Sequence, residues 1–204
     1  MNRRTTSVIL ALGVLAWIAE PAFAHHLMSG RTPASFAEGI LSGLGHPIIG
    51  LDHFAAVVAV GCLAAAHRQA AALVLAFVLA MMAGVAVHVQ GTTVPGAEIL
   101  VAVSVIVLGA LMLRERAMPG AAALALFALV GLVHGYALGE SIYGAEPTPL
   151  YAYLFGLALI QGAIALAAVG AAHWLTQQSA MRLLGAGIAG IGLAVFVQQI
   201  IPAA

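Results

Sequence analysis

The sequence contains no lysine and few charged residues of any kind. Seven arginines balance seven acidic residues, and charged residues make up 7% of the 204-residue chain. Without a basic surplus, the chain has no electrostatic footprint for DNA or RNA. The single cysteine, Cys62, lies in an apolar stretch, so no disulfide forms within the chain and the redox compartment is not readable.

Apolar residues are what the chain has in abundance. They make up 63% of the sequence, with a strongly positive mean hydropathy. A soluble domain with this composition would not cover its surface with polar groups. The sequence therefore predicts an all-α, polytopic membrane protein in a lipid bilayer, the bacterial inner membrane.

The first 24 residues resemble a secretory signal peptide. They combine a short basic start, an apolar run over residues 8–18 and the small-x-small sequence Ala22-Phe23-Ala24. The alternative is an uncleaved first transmembrane helix, but the run is shorter than the ~20 apolar residues of a span. We expect cleavage to leave residues 25–204 as one transmembrane domain.

The mature chain contains six apolar segments, each near the length needed to cross hydrocarbon. They are residues 47–66, 69–89, 97–113, 120–139, 150–172 and 181–200. The connections are short, so consecutive helices are expected to pack antiparallel. Basic residues in short loops stay in the cytoplasm, and a periplasmic mature amino terminus places Arg68, Arg114, Arg116 and Arg182 there.

Three candidate metal ligands, His46, Asp52 and His53, stand at the start of the first mature span. Pro47 is predicted at the first helical position, with His46 on an incoming turn. On a regular helix the three side chains would not reach one ion. Gly50 between them permits local unwinding, as in transport folds with interrupted helices. A shared site requires this irregularity or ligands from other helices.

Further ionisable residues lie at a similar depth in other spans. At 1.5 Å per residue, the candidates lie roughly 22–30 Å from the nearest cytoplasmic arginine; they are Asp52, His53, Glu98, His134 and His88. This shared level predicts a polar cavity in the outer half of the membrane. Glu98, His88 and Glu140 also fit hydrated positions near the outer interface. His25 and His26, at the new amino terminus, fit either a metal-capture point or a mobile end.

Imidazole and carboxylate ligands suit Ni²⁺, Co²⁺ and Zn²⁺, and they do not separate these ions. Copper would prefer Cys62, Met81 and Met82, which in an apolar span more often serve packing. The metal is a transported ion in this interpretation, and no prosthetic group is expected.

The chain resembles the HupE/UreJ family of nickel permeases. The resemblance rests on four elements: Ala24-His25, the run from His46-Pro47 through Asp52-His53 to Gly61, Pro95-x-x-Glu98 with Ser104, and His134-Gly135-x-Ala137-x-Gly139-Glu140. The His-x5-Asp-His element is the specific one. This chain has Leu138 where many members carry a histidine.

The resemblance implies a cleaved signal peptide, six spans and nickel uptake for hydrogenase or urease maturation. It also implies metal-handling roles for His46, Asp52, His53, Glu98, His134 and Glu140. Alternatives are a cobalt or copper importer, an intramembrane zinc hydrolase with Glu140 as base, and a metal sensor or assembly partner. A homo-oligomer and a metallochaperone are the candidate protein partners.

Overall fold

The computed structural model describes residues 31–114, 116–174 and 178–201, and every regular element within these ranges is helical. The helices are α1 (Phe36–Ile49), α2 (Leu51–Ala64), α3 (Ala70–Val89), α4 (Ala97–Met112), α5 (Gly120–Leu138), α6 (Pro147–Trp174) and α7 (Gln178–Ile200), with a 3-10 turn at Gly139–Ile142. The all-α prediction is confirmed. The predicted signal peptide, with His25 and His26, lies outside the described residues.

Four of the described helices are long and apolar enough to cross a membrane. They are α3, α5 with its 3-10 turn, α6 and α7, and the bent pair α1–α2 counts as a fifth if it forms one span. Helix α4 has 16 residues, which reach about 24 Å and fall short of a ~30 Å hydrocarbon core. The chain is a multi-pass membrane protein, and the predicted number of six spans stays a prediction.

The first span differs from the sequence-based expectation. Helix α1 begins eleven residues before Pro47, which lies inside it together with His46, so placing Pro47 at the first helical position was wrong. Proline lacks an N–H, but near the end of a helix it costs one bond only, and the packing of α1 on α6 outweighs this loss. The chain does break at Gly50, with a bend of 79° between α1 and α2.

The start of α1 carries a signal that the apolar pattern did not reveal. Ser35 caps the helix, and its Oγ accepts a hydrogen bond from the N–H of Glu38 at 3.2 Å. The Glu38 carboxylate in turn accepts from the N–H of Ala34 at 2.7 Å. This reciprocal arrangement resembles a capping box and fixes the helix start.

The closest helix pairs are formed by helices that are not consecutive in sequence, whereas the short connections predicted packing between consecutive helices. Helix α3 packs mainly on α5, α1 on α6, and α4 on α7. In the α3–α5 pair, Gly131 approaches the carbonyl of Phe77 and Gly135 approaches that of Met81. Both contacts advance in the same direction along the two chains, so α3 and α5 are parallel.

The other two pairs also meet through small residues. Gly39 approaches Pro149 and Gly43 approaches Tyr153, which makes α1 parallel to α6. Helices α4 and α7 are antiparallel, with Gly109 against Gly185 and Ile106 against Gly192. Without a hydrophobic driving force between helices in lipid, association depends on such close backbone packing.

Candidate metal site at the break in the first span

The break at Gly50 places a carboxylate and an imidazole against the same point of the backbone. The N–H of Gly50 donates to the carbonyl of His46 at 3.0 Å, and its own carbonyl accepts from Phe54 at 2.9 Å. A methyl group added at Gly50 would lie 2.8 Å from His53 Cδ2 and 3.3 Å from Asp52 Oδ1. Only glycine leaves room here for both side chains.

Asp52 and His53 occupy the first turn of α2. Their side chains are only 4% exposed, although both are ionisable. Asp52 Oδ1 accepts the backbone N–H of His53 at 2.8 Å, and a negative charge is favourable at a helix amino terminus. Buried ionisable residues within a membrane helix are costly and are typical of functional sites.

His53 is paired directly with His134 of α5. The two Nδ1 atoms are 2.9 Å apart, and the rings meet edge to face with centroids separated by 5.0 Å. His134 is completely buried. The structure therefore brings together two histidines that are 81 positions apart in sequence.

Ser104 of α4 determines where the protons of this pair lie. Its hydroxyl donates to the carbonyl of Val101 at 2.7 Å, so its oxygen accepts from His134 Nε2, 2.8 Å away. A doubly protonated His134 would place a full charge in a completely buried position, which is unfavourable. His134 is therefore neutral, with its proton on Nε2, and its Nδ1 accepts from His53.

This proton arrangement separates the roles of the two histidines. His53 donates through Nδ1 and keeps a lone pair on Nε2 for a ligand. His134 uses both nitrogens, one toward His53 and one toward Ser104. A histidine that binds a metal usually donates its other N–H to a supporting group. The geometry thus fits His53 as the ligand and His134 as the residue that orients it.

Three further predicted residues lie around this pair or the break. Glu98, half-buried in the first turn of α4, is close enough to Asp52, His53 and Glu140 to interact with them electrostatically. Glu140 is exposed on the 3-10 turn after α5. His46 is buried in the last turn of α1, next to the break. Of the residues predicted to share one level, Asp52, His53, Glu98 and His134 are close to one another.

His88 belongs to a separate aromatic group. Its ring centroid lies 4.7 Å from that of Tyr136 and 5.8 Å from that of Tyr143. Its Nδ1 is buried and finds no hydrogen-bond partner among the described residues. The Tyr136 hydroxyl donates to the carbonyl of Thr92 at 2.8 Å and thereby restrains the loop between α3 and α4. His88 thus faces the α3–α4 connection, and no contact between it and His53 or His134 is seen in the described part of the chain.

The predicted ligands do not form a ready metal cluster. Within residues 31–114, 116–174 and 178–201, no three His, Cys, Asp or Glu side chains are arranged to hold one ion. The proposed ligand set therefore stays a prediction. What the structure contains is a buried, oriented imidazole beside a carboxylate, with Glu98 and Glu140 nearby.

A tyrosine outside the predicted set helps to fix the position of α5. Tyr153 of α6 is fully buried, and its hydroxyl donates to the carbonyl of Leu138 at 2.8 Å. Ser141 Oγ lies 3.2 Å from the same hydroxyl. Because Leu138 is one turn beyond His134, these bonds restrain the helix end that carries the histidine. A lone tyrosine in an apolar segment gave no sequence signal for this role.

We expect Ser104→Ala to disturb the histidine pair without any metal present. The buried Nε2–H of His134 would lose its acceptor, at a cost of about 1–3 kcal/mol in stability. Thermal unfolding in detergent measures this cost, and ¹⁵N NMR of the imidazoles reports the proton positions. Ser104→Thr keeps the hydroxyl and is the matched control. An unchanged His134 tautomer in Ser104→Ala would contradict the assignment.

Comparison with known proteins identifies a matching family and a relative. A family model described as "HupE / UreJ protein" matches residues 12–195. A relative named "Protein HupE", from Rhizobium leguminosarum bv. viciae, is 35% identical over 127 residues, which cover 61% of this chain and 64% of the relative. The chain thus aligns with somewhat less than two thirds of that protein's length. No solved structure matches significantly.

Proposed function

This chain belongs to the HupE/UreJ family, and we propose that it is a permease that carries a divalent transition-metal ion, nickel first, from the periplasm to the cytoplasm. The imported ion would serve the maturation of a nickel enzyme such as a hydrogenase or urease. In this proposal the protein performs no chemical reaction, and the metal is its substrate.

One observation carries the proposal: a buried chain of hydrogen bonds at the break in the first span. It runs from Ser104 through His134 to His53, with Asp52 beside it. The chain orients one imidazole nitrogen as an acceptor in a place where ionisable groups are unfavourable unless they bind something. Broken helices that line ion sites are typical of secondary transporters.

The donor set favours borderline divalent ions over Cu(I). Imidazole and carboxylate suit Ni²⁺, Co²⁺ and Zn²⁺, whereas Cu(I) prefers sulfur. Cys62 and Met81 belong to the buried apolar core, as expected for packing residues. Family membership puts nickel ahead of cobalt and zinc. Because residues 31–114, 116–174 and 178–201 bring fewer than three such side chains to one point, the proposed ion keeps part of its water shell.

The direction of transport follows from charge. In the orientation predicted from the arginines, the histidine pair would lie in the outer half of the bilayer, where an ion from the periplasm would meet it first. An inside-negative potential of about 100 mV favours entry by about 2.3 kcal/mol per unit charge, hence about 4.6 kcal/mol for a divalent cation. The membrane potential alone is a sufficient driving force in this proposal.

Uptake by the purified protein in liposomes tests the function. We expect Ni²⁺ to accumulate faster than in protein-free vesicles, and faster than Co²⁺, Zn²⁺ or copper at equal concentration. An inside-negative potential set with potassium and valinomycin should increase the initial rate, since the cation moves toward negative charge. A fluorescent chelator trapped inside the vesicles reports the rate for each metal.

Two results would overturn this proposal. Absence of flux for all four metals would exclude transport, and stoichiometric zinc held tightly by the same preparation would then favour the intramembrane hydrolase. Copper as the fastest ion would contradict the donor-set argument. Equal rates for nickel and cobalt would retain the permease and reject only the preference for nickel.

A further inference from the structure

Gln161, in the middle of α6, is an unexplained polar residue in the interior of the bundle. Its side chain has no exposed surface. Neither its amide nitrogen nor its amide oxygen has a hydrogen-bond partner among the described residues. Buried amides are nearly always paired, so an unpaired one calls for a role other than folding.

The neighbours of α6 locate this amide at the level of the break. The buried face of α6 includes Leu157, Gln161 and Ala165 at one-turn intervals. Leu157 lies against Gly43 of α1, and Ala165 lies against Gly61 of α2. Gln161 is therefore about 6 Å along the helix axis from each contact. The chain between those two glycines contains the break with Asp52 and His53.

We propose that Gln161 is a second binding point for the metal ion at the level of the break, and that its amide oxygen receives the ion or its water shell during passage. This inference rests on the proposed transport function. An amide oxygen is a neutral ligand for a divalent cation. A neutral ligand suits this place because conduction requires binding that is weak enough for the ion to leave.

Substitution at Gln161 separates a transport role from a packing role. Gln161→Leu removes the amide and keeps an apolar side chain that fits a buried position. We expect Ni²⁺ uptake into proteoliposomes to fall about tenfold, the effect of one lost neutral contact. Equilibrium Ni²⁺ binding in detergent should stay unchanged, since His53 is retained. The melting temperature should rise, because an unpaired buried amide is removed.

A second variant tests the requirement for a neutral ligand. Gln161→Glu places a carboxylate where binding is strengthened by the low dielectric surroundings. We expect tighter Ni²⁺ binding together with slower uptake, because the ion is released slowly. Gln90→Leu, at an exposed position of the same residue type, is the matched control and should behave like the parent.

The results of these measurements distinguish failure of this inference from failure of the proposed function. Uptake by Gln161→Leu within twofold of the parent, in vesicles where the parent transports nickel, would overturn this inference and leave the proposed function intact. Loss of nickel binding in Gln161→Leu would also overturn it, since binding at His53 would then depend on the amide. No transport by the parent protein would overturn both proposals together.

Discussion

Replacing His53 with alanine is expected to reduce nickel uptake at low external nickel by at least about 100-fold, more than the 10–100-fold typical of losing a supporting residue. The variant removes the one imidazole nitrogen that the hydrogen-bond chain leaves as an acceptor. His134→Ala should fall in the 10–100-fold range, because it removes the residue that orients His53. The measurement is initial Ni²⁺ uptake in proteoliposomes over a range of concentrations.

A matched histidine control is available on α6. His173 is exposed, and its Nε2 lies 3.1 Å from the carbonyl of Ala65. His173→Ala should leave uptake within about twofold, since exposed groups far from a site contribute little. Unchanged accumulation with His53→Ala or Asp52→Ala would refute the assignment of the site. A larger loss for His134→Ala than for His53→Ala would reverse the two roles.

The location of the candidate site was predictable from sequence because the cost of burying ionisable groups is high in a membrane. Asp52 and His53 stood out for that reason, and helix rise placed Glu98 and His134 at a similar depth. The structure adds the direct contact between His53 and His134. The depth of a residue gives its position along the membrane normal only. Contact between His53 and His134 depends also on which helices are neighbours.

The pairing of helices was not predictable from the apolar pattern. In lipid, a helix has no polar face that distinguishes outside from inside, so periodicity carries little information about neighbours. In the structure, the close helix contacts occur at glycines. Gly84, Gly131 and Gly135 lie where backbones approach, but Gly162 and Gly170, with nothing within 4 Å, look the same in sequence. Only the three-dimensional arrangement separates the two groups.

The error at Pro47 has a related cause. Proline is enriched at the first position of helices, so this interpretation followed the local preference. The preceding segment contains the Ser35–Glu38 cap, a signal that predicts an earlier start. Gly39 and Gly43 then pack this extra helix on α6. The cap and the close packing at these glycines stabilise α1 by more than the proline near its end destabilises it.

Gln161 is a residue that the sequence alone does not mark as unusual. A glutamine in an apolar segment gives no signal that distinguishes a buried amide from one at a helix surface. Its significance depends on its complete burial and on the lack of a partner in the described ranges. Such information exists only after the helices are packed. Sequence reasoning singled out the charged and imidazole residues near the break and gave no weight to this neutral residue.

Gly135→Ala is expected to destabilise the protein by about 3 kcal/mol, the upper end of the usual range for overpacking. The added methyl group would meet the backbone of α3 at Met81, including the carbonyl oxygen, with the carbonyl carbon at 2.6 Å and Cα at 2.7 Å. Backbone atoms do not move aside like a flexible side chain, so the helices must separate. Thermal unfolding in detergent and the yield of monodisperse protein measure the effect.

Gly162→Ala is the matched control on α6, because a methyl group there meets no atom within 4 Å. Its stability should stay within about 0.5 kcal/mol of the parent. Gly135 also follows His134 directly, so separation of α3 and α5 shifts the imidazole away from His53. Protein of Gly135→Ala that still folds should therefore lose nickel uptake as well. Equal stability of the two variants would show that the α3–α5 contact is not as close as the structure has it.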